Sequence, residues 1–258
     1  MTPVALTIAG SDPSGGAGLQ ADLKTFHRFG VYGEAVATLI TAQNTRGVTR
    51  VHPLPADLVT AQIRAVVDDI PPQAAKTGAL GSAEVVRAVA DAAQRFSFPL
   101  VVDPVMISKH GARLLDEDAC RVLAERLIPR AFLLIPNLEE AAILAGFAVD
   151  DPASMLRAAQ KLASLGAANV LVKGGHLRGD ALDILSMRDG TVREFCAPRI
   201  DTPHTHGSGC TYSAAITAGL ALGASLADAV ARAKDFVTAA IRTNPELGSG
   251  AGPLNHHA

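Results

Sequence analysis

Short apolar runs alternate with longer stretches of helical periodicity along the chain. Val4–Ala9 is an apolar run ending in a glycine-rich turn, and Leu19, Leu23, Phe26 and Phe29 follow near helical spacing, from Gly18 to Phe29. Ala35–Ala42 reads as the next strand. Pro55–Asp69 reads as a helix with proline in its first turn. Ala74–Thr77 reads as a short buried strand, and Ser82 caps the helix after it. Leu100–Asp103 and Phe132–Ile135 are further strands, Asp116 opens one helix and Leu138–Ala145 forms another. Asp151-Pro152 supplies the cap and first-turn proline of a helix reaching Leu165, ahead of a strand at Val170–Lys173. Near Leu182 the period changes. Asp183–Met187 and Thr191–Cys196 flank Arg188-Asp189-Gly190 and read as a β-hairpin. Two long helices, Gly209–Leu222 and Leu226–Thr243, close the chain. This alternation predicts an α/β protein with a mostly parallel sheet covered on both faces, a single three-layer α/β/α domain over residues 1–258. Ligands of such sheets bind beyond the carboxyl ends of the strands, so the chemistry is expected in the loops that follow them.

Composition narrows the function. With 258 residues a large core is possible, and 48% hydrophobic against 19% charged residues excludes a disordered chain. Lysine and arginine number 23 against 25 acidic residues, a net charge of −2, which argues against a general nucleic-acid binder. Aromatic residues are 4% with no tryptophan, too few for base-stacking platforms. Cys120, Cys196 and Cys210 are scattered, without a Cys-x-x-Cys pair, which suits a reduced cytoplasmic protein rather than a disulfide framework or zinc site. The N-terminus has no basic region of the kind a signal peptide carries. The uncharged stretch from Tyr212 to Ala227 is short and rich in small residues, so it is expected to be a buried helix, not a membrane span.

Five loops carry candidate chemistry. Gly10-Ser11-Asp12-Pro13-Ser14-Gly15-Gly16-Ala17-Gly18 follows the first strand, and its glycines would let backbone approach a ligand. It is no Walker loop, because the chain has no Gly-Lys dipeptide, and Ala21 breaks Gly-x-Gly-x-x-Gly. Asp12 and Asp22 either orient a substrate or only cap and solvate. Thr205-His206-Gly207-Ser208-Gly209-Cys210-Thr211 opens a helix, whose free N–H groups suit a phosphate. Cys210 lies in the first turn, where a thiol pKa is expected to fall; it serves as a base or packs as a small buried residue. Asn137 and Glu140 share a face at a helix start, as Mg²⁺ neighbours or as a capping box. Asp103 and Lys173 end two strands, as Mg²⁺ and phosphate groups or as an ion pair. Together these features suggest Mg²⁺-dependent phosphoryl transfer.

On these loops, and on Thr41-Ala42-Gln43-Asn44-Thr45, the chain resembles the hydroxymethylpyrimidine and phosphomethylpyrimidine kinases of thiamine biosynthesis, within the ribokinase superfamily. Asp103-Pro104-Val105-Met106, Pro136-Asn137-Leu138-Glu139-Glu140 and Lys173-Gly174-Gly175-His176 match in order as well, so the resemblance covers nearly the whole chain. It implies a ribokinase-like fold, ATP and Mg²⁺, and a pyrimidine phosphorylated twice. It implies that Gln43 contacts the pyrimidine, with Gly10, Asp12, Asp22 and Val105 on the same side. Cys210 takes the place of the catalytic aspartate of sugar kinases, and Gly207, Ser208 and Gly209 form the anion hole. Lys173, Asp103 and Asn137 fall on the ATP side, with Glu140 and Asp103 toward the metal. A homodimer is implied too.

Some positions depart from that pattern. Ala79 stands where methionine is usual, which would widen the pocket. Lys109-His110-Gly111-Ala112-Arg113 replaces the usual Lys-Ser-Gly-Asp-Pro run of a flap. His256 and His257 are expected to be solvated at a frayed end. The alternatives are a pyridoxine or pyridoxal kinase on the same scaffold and a pyrimidine sensor without catalysis. A sugar kinase is disfavoured by Cys210. A thiamine-phosphate synthase activity is not expected, since it would need a second domain.

Overall fold

The computed structural model describes residues 2–107, 111, 114–175, 177 and 179–258. Its strands are β1 (Val4–Ser11), β2 (Tyr32–Asn44), β3 (Gly47–Pro53), β4 (Ala74–Thr77), β5 (Leu100–Val102), β6 (Leu133–Leu134), β7 (Val170–Gly174), β8 (Ala181–Ser186) and β9 (Val192–Ala197). They form one sheet in the order β3-β2-β1-β4-β5-β6-β7-β8-β9. The centre, from β2 through β7, is parallel, while β3, β8 and β9 join antiparallel at the two ends. The order of the strands reverses beside β1, which pairs with both β2 and β4. A crevice opens there at the carboxyl edge.

Alternation along β1 sorts the two helical layers. Leu6 and Ile8 join the core under α2 (Ala56–Asp69), α3 (Ala83–Ala93), α4 (Glu117–Val122), α5 (Leu138–Ala145) and α6 (Pro152–Ser164). Ala5 points the other way, toward α1 (Gly18–Arg28) and α7 (Ser208–Ala221). On that second face α8 (Leu226–Arg242) packs beside α7. Caps fix the helix starts: Ser82 Oγ accepts from Val85 N, Asp116 Oδ1 from Ala119 N, and Asp151 closes a capping box with Ser154. Most of α7 is buried, as the small-residue stretch after Tyr212 led one to expect, and no helix among the described residues is long and apolar enough to cross a membrane.

Three expectations need correction. β3 is not visible in the sequence. Thr49, Arg50 and His52 are exposed on a sheet edge, so no buried alternation marks the strand. Pro55 is the cap of α2 and not part of its first turn. His256 is not solvated: it is only 6% exposed, and its Nε2 lies 3.1 Å from Thr211 Oγ1 on α7. The terminal segment is tied down along its length, with Gly252 O accepting from His206 N and Leu254 buried in the core. His257 is exposed as expected.

Burial pushes the His256 pKa from 6.5 down to about 4, helped by the nearby Lys24 and His257 charges. The folded state therefore binds this proton less well than the unfolded chain. Its contribution is complete above pH 6.5 and is lost as pH falls from 6.5 toward 4. Urea unfolding between pH 7 and 4 is expected to show a stability loss that shrinks in His256→Gln; an unchanged slope in that variant would assign the loss to other groups.

Candidate active site

The loops at the carboxyl edge enclose a cleft of about 650 Å³. Gly10, Asp12, Gln43, Asp103, Val105, Asn137, Glu140, Lys173, Gly207, Ser208, Gly209 and Cys210 line it. So does Ala79, whose carbonyl accepts the Thr38 hydroxyl at 2.6 Å. Of the nominated residues, only Asp22 is not among the lining groups. Of the run 109–113 only Gly111 belongs to the described residues, and His176 lies outside them.

Two loops make the first wall. Asp12 organises the glycine-rich one: Oδ1 accepts from Ser14 N at 2.9 Å and Ser14 Oγ at 2.7 Å, and Oδ2 accepts from Ala17 N at 2.9 Å. Across the gap His206 Nε2 meets Asp12 Oδ2 at 2.8 Å, and Gln43 Nε2 reaches the same ring nitrogen at 3.1 Å. Burial would raise the Asp12 pKa, but the bonds from His206 and Ser14 outweigh it and hold the carboxyl below its usual range. Asp12 is thus a loop organiser, and its partner His206 was overlooked. His206 adjoins Gly207, and that adjacency was the available signal. Gly207 itself has φ +80° and caps α7; a Cβ there would strike the carbonyl oxygen of Gly16.

The second wall carries charge. Lys173 Nζ pairs with Asp103 Oδ1 at 3.0 Å, and Ser213 Oγ donates to Asp103 Oδ2 at 3.2 Å. Burial opposes the charge on Lys173, yet Asp103 and Glu140 outweigh it and keep the ammonium cationic. The α7 start closes on this pair: a Cβ on Gly209 would lie 3.6 Å from Lys173 Nζ. The ion-pair reading of Asp103 and Lys173 is therefore realised, and it faces the cleft.

Asn137 and Glu140 form the capping box. Asn137 Oδ1 accepts from Glu140 N at 2.9 Å, and Glu140 Oε2 accepts from Asn137 N at 2.9 Å. Glu140 is 3% exposed, and its other oxygen accepts from Met106 N at 3.2 Å. Both residues are engaged with backbone. No cluster of three or more metal-ligating side chains occurs among the described residues. Glu139, an exposed carboxylate, lines the cleft with Asp103. Such a set fits a hydrated Mg²⁺ carried on phosphates, which needs few protein ligands; it does not fit a protein-caged ion.

Beneath the floor lies a second ion pair. Asp22 on α1 and Lys76 on β4 are both 0% exposed, with Lys76 Nζ 2.8 Å from each carboxylate oxygen. Thr7 Oγ1 donates to Asp22 at 2.6 Å. Asp22 therefore anchors Lys76 below the cleft. Cys210 corrects the sequence expectation. Burial pushes its thiol up to about 11, against the opposing pull of the Lys76 charge and the Gly18 N–H. The helix N-terminus does not win, because desolvating the thiolate costs more than one turn of helix returns. A further buried pair, Lys234 Nζ to Asp183 Oδ2 at 2.7 Å, lines the opposite end beside Tyr212; these residues lie 51 apart in sequence and gave no local signal.

With this geometry, the relatives are decisive. The family model of phosphomethylpyrimidine kinase matches residues 12–255. The chain belongs to the phosphomethylpyrimidine kinase family. The hydroxymethylpyrimidine/phosphomethylpyrimidine kinase of Streptomyces coelicolor is 49% identical over 255 residues, covering 98% of this chain and 94% of that protein. The thiamine biosynthesis bifunctional protein ThiED of Geobacter sulfurreducens is 51% identical over 254 residues, 97% of this chain but 51% of its own length. Among solved structures, the phosphomethylpyrimidine kinase of Clostridium difficile has a TM-score of 0.83 at 43% identity, covering 93% of this chain and all of that one. The pyridoxal kinase of Bacillus subtilis in complex with ADP has a TM-score of 0.92 at 39% identity, covering 100% and 98%. The fold is that of the ribokinase-like kinases, as expected.

In a Cys120→Ser, Cys196→Ser background, the rate of Cys210 alkylation by iodoacetamide is expected to rise with a midpoint near pH 11. A midpoint at or below 9 would mean that Lys76 and the helix N-terminus dominate burial.

Proposed function

We propose that the protein is an ATP- and Mg²⁺-dependent kinase of 4-amino-5-hydroxymethyl-2-methylpyrimidine, which it phosphorylates to the monophosphate and then to the diphosphate in thiamine diphosphate biosynthesis. One observation carries the reading: Lys173, the first turn of α7 with Cys210, and the Gln43–His206 pair share a single cleft. Lys173 and the N–H groups at Gly207–Cys210 would offset charge on the transferring phosphoryl group. Asp103 and Glu139 would hold a hydrated Mg²⁺ brought in with ATP, which would supply further charge neutralisation. The Gln43 amide both donates and accepts, as an aminopyrimidine edge requires.

Cys210 fits a positioning thiol better than a base. With its thiol near 11, almost none is ionised at pH 7. A largely dissociative transfer asks little of a base, because the hydroxyl proton leaves late. The second transfer needs still less, since its nucleophile is an already ionised phosphate. Ala79 and the pyridoxal kinase structures favour a second reading, a pyridoxal kinase of vitamin B6 salvage. A homodimer and a cytoplasmic location belong to the first reading. Sedimentation tests the homodimer.

Phosphate transfer from Mg·ATP, run in parallel on the pyrimidine, its monophosphate and pyridoxal, tests the assignment. Both pyrimidines are expected to turn over to the diphosphate. Lys173→Met is expected to slow both steps by roughly 10²-fold, and Cys210→Ala to slow the first more than the second. Turnover of pyridoxal alone would move the assignment to vitamin B6 salvage, binding without transfer would favour a sensor, and equal losses in Cys210→Ala would contradict its role in the first step.

A further inference from the structure

α7 starts without a side-chain cap, unlike α3, α5, α6 and α8. Gly207 is its cap and Gly209 follows in the first turn, so backbone preference does little to hold that turn in place. Yet the turn lines the cleft. Residues 252–256 hold it at both of its ends. Before the turn, Gly252 O accepts from His206 N at 3.1 Å. After it, His256 Nε2 lies 3.1 Å from Oγ1 of Thr211, whose N–H donates to Gly207 O at 2.8 Å and closes the first turn. Thr211 and His256 are both buried. The holding segment is itself fixed. Asn255 N donates to Ala240 O at 3.1 Å in α8, Asn255 Nδ2 donates to Thr243 Oγ1 at 3.0 Å just past it, and Leu254 is buried in the core.

We propose that His256 is a positioning residue for the first turn of α7: with Gly252 it brackets residues 207–210 and keeps their N–H groups aimed at the terminal phosphate of a nucleoside triphosphate. The phosphate rests on the kinase reading of the cleft, the bracket on the contacts of Gly252 and His256. The bracket does the work that a side-chain cap does in the other helices, but from outside the helix. The N–H groups of the turn therefore stay open toward the cleft, where a serine or aspartate cap would occupy one of them.

Nucleotide binding tests it, because ADP lacks the phosphate that the turn would hold. His256→Leu removes the bond to Thr211, while His256→Gln keeps an amide that can donate or accept. His256→Leu is expected to weaken a non-hydrolysable ATP analogue roughly fivefold, the effect of one lost hydrogen bond, and ADP by less than about twofold. His256→Gln is expected to restore the analogue. A readout without nucleotide is Cys210 alkylation in the Cys120→Ser, Cys196→Ser background, expected to speed up roughly fivefold in His256→Leu as the turn opens locally, and not in His256→Gln. Equal losses for both nucleotides, no loss for either, no rescue by glutamine or an unchanged alkylation rate would overturn the proposal. If His256→Leu does not fold, Thr211→Val against Thr211→Ser decides: valine is expected to reproduce the selective loss and serine to avoid it, and equal behaviour of the two would overturn the bracket. Failure of the unsubstituted protein to bind the ATP analogue would overturn the kinase reading instead, while the alkylation comparison still reads the bracket.

Discussion

The site depends on a close approach of two backbones. Gly207, capping α7, lies against the carbonyl of Gly16, and no side chain fits between them. The Asp12–His206 contact at 2.8 Å holds the two loops together just beside that approach. Because Gly207 can take φ +80°, α7 starts where its first turn faces Lys173 and Asp103. Gln43 reaches the same histidine from β2. The glycine-rich loop, the first turn of α7 and the Gln43 amide are therefore one connected assembly. This differs from a Walker loop, in which a single segment wraps the phosphates.

Buried charge is the second constraint. Lys76 and Asp22 lie under the floor with no exposure, and Lys173 with Asp103 lies just above. Removing one partner of such a pair leaves an uncompensated charge and costs about 3–5 kcal/mol. Each pair is also hydrogen-bonded elsewhere, Asp22 by Thr7 and Asp103 by Ser213, which is what makes the burial tolerable. Lys173 is held cationic and lines the cleft. Lys76 is cationic too, but sealed, so it acts on the site only through its field, most directly on Cys210.

Much of this was legible in the sequence where one local rule governed. β4 and α5 fall on their expected bounds, α5 because a capping box is a self-contained signal. The loops after β1, β5, β6 and β7, picked out by their place after strands, line the cleft. What stayed hidden depended on contacts across the fold. The edge strand β3 is polar and exposed, so no core alternation marked it. Asp22 looked like a pocket residue until its partner on β4 was known. For Cys210 the helix-terminus rule pointed down in pKa, and burial reversed it. His256 sits at a chain end, where fraying is the ordinary outcome, but Thr211 holds it. Nothing in Asp103-Pro104-Val105-Met106 signals a positive φ at valine, because the backbone bonds beside it, from Met106 to Glu140, Leu114 and Leu115, are made to residues distant in the chain.

The central claim is that one cleft holds the phosphoryl donor against α7 and the pyrimidine against Gln43. A crystal structure with a non-hydrolysable ATP analogue, Mg²⁺ and the pyrimidine tests it most directly. The account predicts the terminal phosphate at the Gly207–Cys210 turn beside Lys173, the hydroxymethyl group facing it near Cys210, and the ring on Gln43. A phosphate bound away from that turn, or a pyrimidine that leaves Gln43 untouched, would contradict it.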